Sequence, residues 1–285
     1  MTVSGEARIA GVMGWPVAHS LSPRLHGYWL DFYGIDGAYI PLAVHPDCLE
    51  DALRALPALG FAGANLTVPH KEEALKIVDI CDKTATRIGA INTVVVRSDG
   101  SIEGRNTDGH GFLQSVHAGA PQWRVGDGPV ALIGAGGAAR AVCVTLQEAG
   151  APEIRLINRT AERAGGLASE FGSPIITVPW AERATALEGV SLLVNATTLS
   201  MRGQPSLDLD LDALPRSAVV TDIVYTPLKT ALLHAAETRG NRIVDGLGML
   251  LHQARPGFAA WFDREPEVTT ALREHVMNQI ENPYG

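Results

Sequence analysis

Lys71 and Asp108 are a pair of residue types able to move a proton, and each sits among more polar side chains than packing requires. Lys71 follows Asn65-Leu66-Thr67-Val68-Pro69. A helix opened by Pro69 sets its ammonium against the positive end of the macrodipole, the unfavourable end for its charge. Simple neutralisation by Glu72 and Glu73 is the alternative. Asp108 ends Arg105-Asn106-Thr107-Asp108 and could be no more than a helix cap; set near Lys71, it would serve a carbonyl–alcohol interconversion. Ser20 and Ser22 are two apart, so in extended chain both hydroxyls point one way and can reach one anion such as a carboxylate, unless Ser22 only caps the helix at Pro23. Asn65 and Thr67 repeat that spacing, and Ile91-Asn92-Thr93 adds polar groups at a hairpin end.

A second constellation binds rather than reacts. Val130–Ile133 reads as a strand, Gly134-Ala135-Gly136-Gly137-Ala138 as a glycine turn, and the residues after it as a helix whose free N–H groups suit a pyrophosphate. Ala139 stands where a third glycine is usual, and a strand-to-helix connection that binds nothing is the alternative. NAD sites place an acid about 20 residues further on, at the ribose. Here Asn158-Arg159-Thr160 and Arg163 take that place, suiting the 2′-phosphate of NADP, with solvated surface arginines as the plainer reading. Asn195-Ala196-Thr197-Thr198 and Tyr225-Thr226-Pro227 follow later strands on the ligand-binding rim, and Gly246-Leu247-Gly248-Met249 leads to Gln253 one turn on. Thr197, Gly246 and Met249 are read as further cofactor contacts, although a methionine on such a face is more often core.

The elements that must position these residues are legible as two sets. Arg8–Gly14, Ala38–Leu42 and Gly63–Val68 read as strands between helices from Pro23 and around Leu49, Leu53 and Leu56; a helix runs from Pro69 to about Ile80. Ile91–Val96 and Ser101–Asn106 form a hairpin across Ser98-Asp99-Gly100, giving one antiparallel edge. Then apolar runs at 130–133, 154–158, 175–178, 192–195, 219–223 and 242–245 alternate with helices, six strands of a doubly wound nucleotide domain. Helices from Met249 to Phe262 and Val268 to Ile280 have no strand left to cover there and return to the first set. The expected architecture is α/β: an N-terminal α/β substrate-binding and catalytic domain with a mixed sheet (1–108, completed by 247–285) and a Rossmann-type doubly wound NADP-binding domain (109–246), with a cleft between them.

Composition narrows the function. A chain of 285 residues, 46% hydrophobic and 19% charged, is an ordinary globular protein. A net charge of −8 argues against nucleic acid or anionic lipid as partner. No basic-then-apolar leader and no run of about 18 apolar residues occurs, and Cys48, Cys81 and Cys143 suggest neither disulfide framework nor metal site. The expectation is a cytoplasmic protein without metal, acting on a small molecule, as monomer or homodimer.

Taken in order, these stretches resemble the shikimate dehydrogenase family over nearly the whole chain. The resemblance rests on Gly14-x-Pro16-x-x-His19-Ser20-Leu21-Ser22-Pro23, Asn65-x-Thr67-x-Pro69-x-Lys71, Gly89-Ala90-x-Asn92-Thr93, Asn106-Thr107-Asp108, the glycine turn, Asn158-Arg159-Thr160, Asp222-x-x-Tyr225-x-Pro227-x-x-Thr230 and Gly248-Met249-Leu250-x-x-Gln253-Ala254. It implies reversible NADPH-linked reduction of 3-dehydroshikimate to shikimate in aromatic amino-acid biosynthesis. By that resemblance Ser20, Ser22, Thr67 and Tyr225 hold the substrate carboxylate, Asn92, Asp108 and Gln253 hold ring hydroxyls, and Lys71 donates the proton with Asp108 orienting it. The chain departs from the family pattern at Gly27, usually Asn, and at Ser200, commonly Gly. Rival readings are a paralogous dehydrogenase for quinate or an amino-substituted shikimate, and a non-catalytic sensor of dinucleotide or shikimate; the intact Lys71 and Asp108 weigh against the sensor.

Overall fold

The computed structural model describes residues 3–281. Within them the chain gathers into two compact units, one running to Thr107 and resuming at Gln253, the other spanning Asp108–His252.

The first unit is built on a six-stranded mixed sheet of β1 (Arg8–Gly14), β2 (Gly37–Ala43), β3 (Phe61–Leu66), β4 (Ile80–Cys81), β5 (Thr93–Val96) and β6 (Ile102–Arg105), in the order β2-β1-β3-β5-β6-β4. β1 runs parallel to β2 and β3, whereas β5 is antiparallel to both β3 and β6. Helix α1 (Ser22–Tyr33) carries Pro23 in its first turn, where a missing N–H costs nothing. It buries Leu25, His26, Trp29 and Leu30 at helical spacing and stops at Gly34. Helices α2 (Leu49–Ala55) and α3 (Lys83–Ile88) are short.

Two expectations fail here. The stretch after Pro69 is not an α-helix: turns lead into a 3₁₀ segment at Glu73–Lys76. The Lys71 carbonyl, which a helix would spend on an amide four residues on, accepts instead from the Ile91 N–H at 2.8 Å. The buried His70 ring meets the Val44 carbonyl at 2.9 Å and holds the turn to the end of β2. The macrodipole argument for Lys71 therefore lapses. Nor is the hairpin an edge, because β4 pairs in parallel with β6, Ile80 opposite Glu103.

The second unit opens with α4 (Asp108–Gly119). It then lays down β7 (Val130–Ile133), α5 (Gly137–Glu148), β8 (Ile154–Ile157), α6 (Ala161–Phe171), β9 (Ile175–Val178), β10 (Leu192–Asn195), β11 (Val219–Asp222), α7 (Ala231–Thr238) and β12 (Arg242–Val244). All six strands are parallel, in the order β12-β11-β10-β7-β8-β9. The chain steps outward from β7 to β9 and then restarts at β10 on the other side, so the order reverses between β7 and β10, where doubly wound sheets bind ligands. Alternation supplies both faces: Val130, Leu132, Leu192 and Val194 pack with Val142 and Leu146 of α5, while Ala131, Ile133, Leu193 and Val220 pack with Leu232 and Leu233 of α7. Such strands are apolar throughout because helices cover both sides.

Helix α8 (Gly246–Phe262) begins in the second unit and ends in the first, and α9 (Thr270–Glu281) follows. Within the first unit the Trp261 indole donates to the Val94 carbonyl at 2.9 Å, and the Trp29 indole donates to the Glu267 carbonyl at 3.0 Å. Among the described residues no helix is long and apolar enough to cross a membrane, and no group of three or more His, Cys, Asp or Glu residues could hold a metal.

Candidate active site

In the first unit a buried polar network joins the ends of β3, β5 and β6. Asn65, last but one in β3, accepts the Tyr39 hydroxyl proton at 2.7 Å and donates to the Asn92 carbonyl at 3.0 Å and the Thr93 hydroxyl at 3.2 Å. Asn92 is only 2% exposed. Its Oδ1 accepts from the Thr107 N–H and the Thr93 hydroxyl, both at 2.9 Å, and its Nδ2 donates to Gln253 Oε1 at 3.2 Å. The Thr107 hydroxyl donates to the Gln253 carbonyl at 2.8 Å. Asn92 and Gln253, expected as ligands of one substrate, are thus brought together, and Lys71 lies beside them through the Ile91–Lys71 backbone bond.

The serine loop lies against the same site. Thr67 donates its N–H to the Met13 carbonyl and Trp15 donates to the Val68 carbonyl, so the two loops run side by side. Ser22 does not cap α1: the cap position is Leu21, with no side-chain cap bond, and the Ser22 hydroxyl reaches the Tyr39 hydroxyl instead. Ser20 Oγ accepts from the Ser22 N–H at 3.3 Å. Under this loop His26 is fully buried, its ring 3.9 Å from Tyr39 and parallel to it, with Trp29, Phe258 and Trp261 around it. Neither ring nitrogen has a hydrogen-bond partner among the described residues, and burial pushes its pKa from 6.5 down to about 3. Asp108 is buried as the first residue of α4, directly after Thr107 in the chain.

In the second unit the glycine turn has the geometry its sequence requires. Gly134 has φ of +120°, and a Cβ there would lie 2.9 Å from the Ala196 carbonyl oxygen, so only glycine fits. Over Gly136 and Gly137 lies open space, and the N-terminus of α5 has no side-chain cap. Its first amides are therefore available to an anion, which fits a pyrophosphate. Ala138 is half-buried in the first turn of α5, and Ala135 packs with Met249 against the core beneath. At the end of β8, Arg159 and Arg163 are exposed around the N-terminus of α6, and neither joins an ion pair among the described residues. Thr160 is the N-cap residue of α6 but makes no side-chain cap bond, and Asn158 Nδ2 is bonded to the Thr160 carbonyl at 2.8 Å. Two guanidiniums and a hydroxyl, with no carboxylate among 158–160 and Glu162 the acid in the first turn of α6, suit a phosphate monoester better than a ribose diol.

Other second-unit candidates have internal tasks. The Thr197 hydroxyl donates to Asn195 Oδ1 at 2.7 Å and accepts from the Leu199 N–H at 3.0 Å. Gly246 has a steric reason of its own, since any side chain would strike the backbone of Ile223 and Val224. Tyr225 is half-buried, and burial raises the pKa of its phenol. Sequence reading passes over Tyr39, and gives Asn195 and Asp222 no role beyond membership of the rim and family stretches. A lone polar residue closing an apolar strand is the signal that marks Asn195; Asp222 follows Thr221 and is marked less sharply.

Comparison with known proteins follows the same two stretches. Residues 12–94 match the model of the shikimate dehydrogenase substrate binding domain, and residues 121–202 match that of shikimate / quinate 5-dehydrogenase. The NADP(+)-dependent shikimate dehydrogenase of Paramagnetospirillum magneticum is 62% identical over 97% of this chain and 100% of its own. The chain belongs to the shikimate dehydrogenase family. The corresponding shikimate dehydrogenase of Rhodospirillum rubrum is 57% identical over 97% of this chain and 99% of its own. The crystal structure of the Thermus thermophilus shikimate 5-dehydrogenase with NADP(H) and shikimate is 36% identical, with a TM-score of 0.85 over 96% of this chain and 99% of that one.

Proposed function

We propose that this chain catalyses the reversible NADP-linked interconversion of 3-dehydroshikimate and shikimate, a step of aromatic amino-acid biosynthesis. The observation that carries this reading is the 62% identity across 97% of the chain to an NADP-dependent shikimate dehydrogenase, with Lys71 and Asp108 both present. Residues 1–108 with 247–285 form the substrate-binding part, and 109–246 the NADP-binding part.

NADPH supplies the hydride, and its oxidised form takes the hydride back. Gly134 to Ala138 accept the pyrophosphate at the start of α5, and Asn158, Arg159, Thr160 and Arg163 hold the 2′-phosphate, with Thr197, Gly246 and Met249 further along the rim. Ser20, Ser22, Thr67 and Tyr225 hold the substrate carboxylate; Asn92, Gln253 and Asp108 hold ring hydroxyls and set the ketone in one orientation. Lys71 donates a proton to the ketone oxygen as negative charge grows there, and recovers it from the hydroxyl in the reverse direction. Lys71 and Asp108 are the catalytic pair.

The deciding assay follows nicotinamide absorbance with NADP or NAD against shikimate or quinate. Turnover with NADP and shikimate, at a kcat/KM at least tenfold above the other three combinations, is the expected result; faster turnover of quinate overturns the substrate, and no change in any arm overturns the activity. The protein works in the cytoplasm, in keeping with its three unpaired cysteines, Cys48, Cys81 and Cys143.

A further inference from the structure

Two loops leave the C-terminal ends of neighbouring strands in the second unit, Ala196–Ser200 after β10 and Ile223–Thr230 after β11. Both return to one side chain. Asp222 ends β11, is 0% exposed, and is held by neutral donors alone. Its Oδ1 accepts from Asn195 Nδ2 and from the Val224 N–H, each at 3.0 Å, and its Oδ2 accepts from the Thr230 hydroxyl at 2.8 Å. Thr230 is in turn the N-cap of α7, its side chain accepting from the Leu233 N–H. Asn195, also fully buried, carries the connection onward: its Oδ1 accepts both the Thr197 N–H at 3.1 Å and the Thr197 hydroxyl at 2.7 Å. A cross-tie from the Arg202 N–H to the Thr226 carbonyl at 2.9 Å joins the loops further out.

A carboxylate buried without a cation is costly, and burial raises its pKa despite three hydrogen bonds. What the acid gives in return is local: it accepts from the buried Asn195, Val224 and Thr230 donors, which an apolar residue would leave without an acceptor. The carboxylate gathers donors arriving from three directions, two on one oxygen and one on the other. We propose that Asp222 is a positioning residue that sets the Thr197 loop and the Tyr225 loop jointly, so that cofactor and substrate carboxylate meet loops held in one register. This rests on the reading of Thr197 as a cofactor contact and Tyr225 as a carboxylate contact.

The test is made on the full chain by steady-state kinetics and backbone hydrogen exchange. Asp222→Ala is expected to raise KM for both NADP and shikimate about tenfold or more, with both loops losing amide protection at Thr197 and Val224 while β7 and β8 keep theirs. Asp222→Asn retains an oxygen for Asn195 and Val224 and is expected to recover both KM values to within about threefold of wild type. Asn195→Ala removes the Thr197 bonds and one donor to Asp222 but leaves Val224 and Thr230 on that carboxylate: KM for NADP rises while KM for shikimate stays within about twofold, a split that holds even if Asp222→Ala does not fold. KM values unchanged in folded Asp222→Ala, equal rises in Asn195→Ala, or exchange that opens the whole sheet each overturn the proposal. Exchange is read without substrate or cofactor, so an inactive wild type would count against the activity and leave this result standing.

Discussion

Lys71 owes its place to backbone, not to a helix. Its carbonyl is fixed to Ile91, next to Asn92, and in the proposed reaction its ammonium is the proton donor. Lys71→Ala is expected to lower kcat about 10²–10⁴-fold, the usual worth of a general acid, with a smaller change in KM for shikimate. A variant keeping a tenth of wild-type turnover removes Lys71 from that role. At the other end, Arg159 and Arg163 face only solvent, so their removal costs little stability and acts on cofactor choice. The double change to Ala is expected to raise KM for NADP about 10–100-fold while KM for NAD moves less than about threefold. Equal effects on both cofactors would show that the arginines read something other than the 2′-phosphate. His26 is the residue most exposed to acid, though it touches no water. Its folded pKa of about 3 lies below the value of 6.5 it has when unfolded, so between those values the unfolded chain binds the extra proton. The stability that goes with a neutral His26 is complete above about pH 6.5 and drains away as pH falls toward 3. His26→Phe is expected to raise the urea midpoint, and to raise it more at pH 5 than at pH 8; an equal gain at both would mean that packing, not protonation, is the cause.

Among the elements, the loop after β10 carries the sharpest conflict between local preference and local bonding. Ser200 has φ of +73°, a conformation glycine enters freely and serine does not, yet its Oγ accepts from the buried Leu207 N–H at 3.1 Å. Losing that acceptor costs about 1–3 kcal/mol, and relieving the backbone returns about 1 kcal/mol. Ser200→Ala, which loses the bond and keeps the strain, is therefore expected to unfold at lower urea than Ser200→Gly. The reverse order would mean the turn is unstrained. Local rules of this kind explain what was legible beforehand. Gly134 with the apolar run before it, the six parallel strands and the hairpin around Gly100 each follow from a few consecutive residues, so sequence alone discloses them. The pairing of β4 does not, because two residues carry no period and Ile80–Cys81 becomes a strand only when β6 lies alongside. Helix α3 did leave a signal, Asp82 three residues before Ala85, whose N–H its carboxylate accepts. The turn at Lys71 was illegible for the opposite reason: Pro69, Glu72 and Glu73 satisfy every local rule for a helix start, and the Ile91 and His70 bonds that overrule them come from strands distant in sequence. At the site, residue types and spacing single out Lys71 and Asn92, and the family resemblance adds Gln253, whereas the Tyr39 and Asp222 bonds exist only once strands are adjacent.

For the molecule as a whole, the second unit is an insertion in the first. The chain leaves the first unit at Thr107, completes a parallel sheet of its own, and returns at Gln253 inside α8. What returns is structural as well as functional, for Gln253 bonds to Asn92 and Thr107 while Trp261 lies against Gly63 and donates to Val94. A chain ended at residue 252 is expected to keep a folded second unit, which still binds NADP, while the first unit loses cooperative unfolding and all affinity for shikimate. Retained shikimate binding in that truncation would show that the last thirty-odd residues are dispensable.

The same path imposes a timetable on synthesis. As the chain emerges from the ribosome N-terminus first, β1 to β6 are made early yet lack Trp261 and the helices that complete their core until the whole second unit has been made. The second unit, contiguous from 108 to 252, can finish first. In the order of its making, then, the unit proposed to hold the coenzyme is finished before the surface proposed for the molecule it transforms.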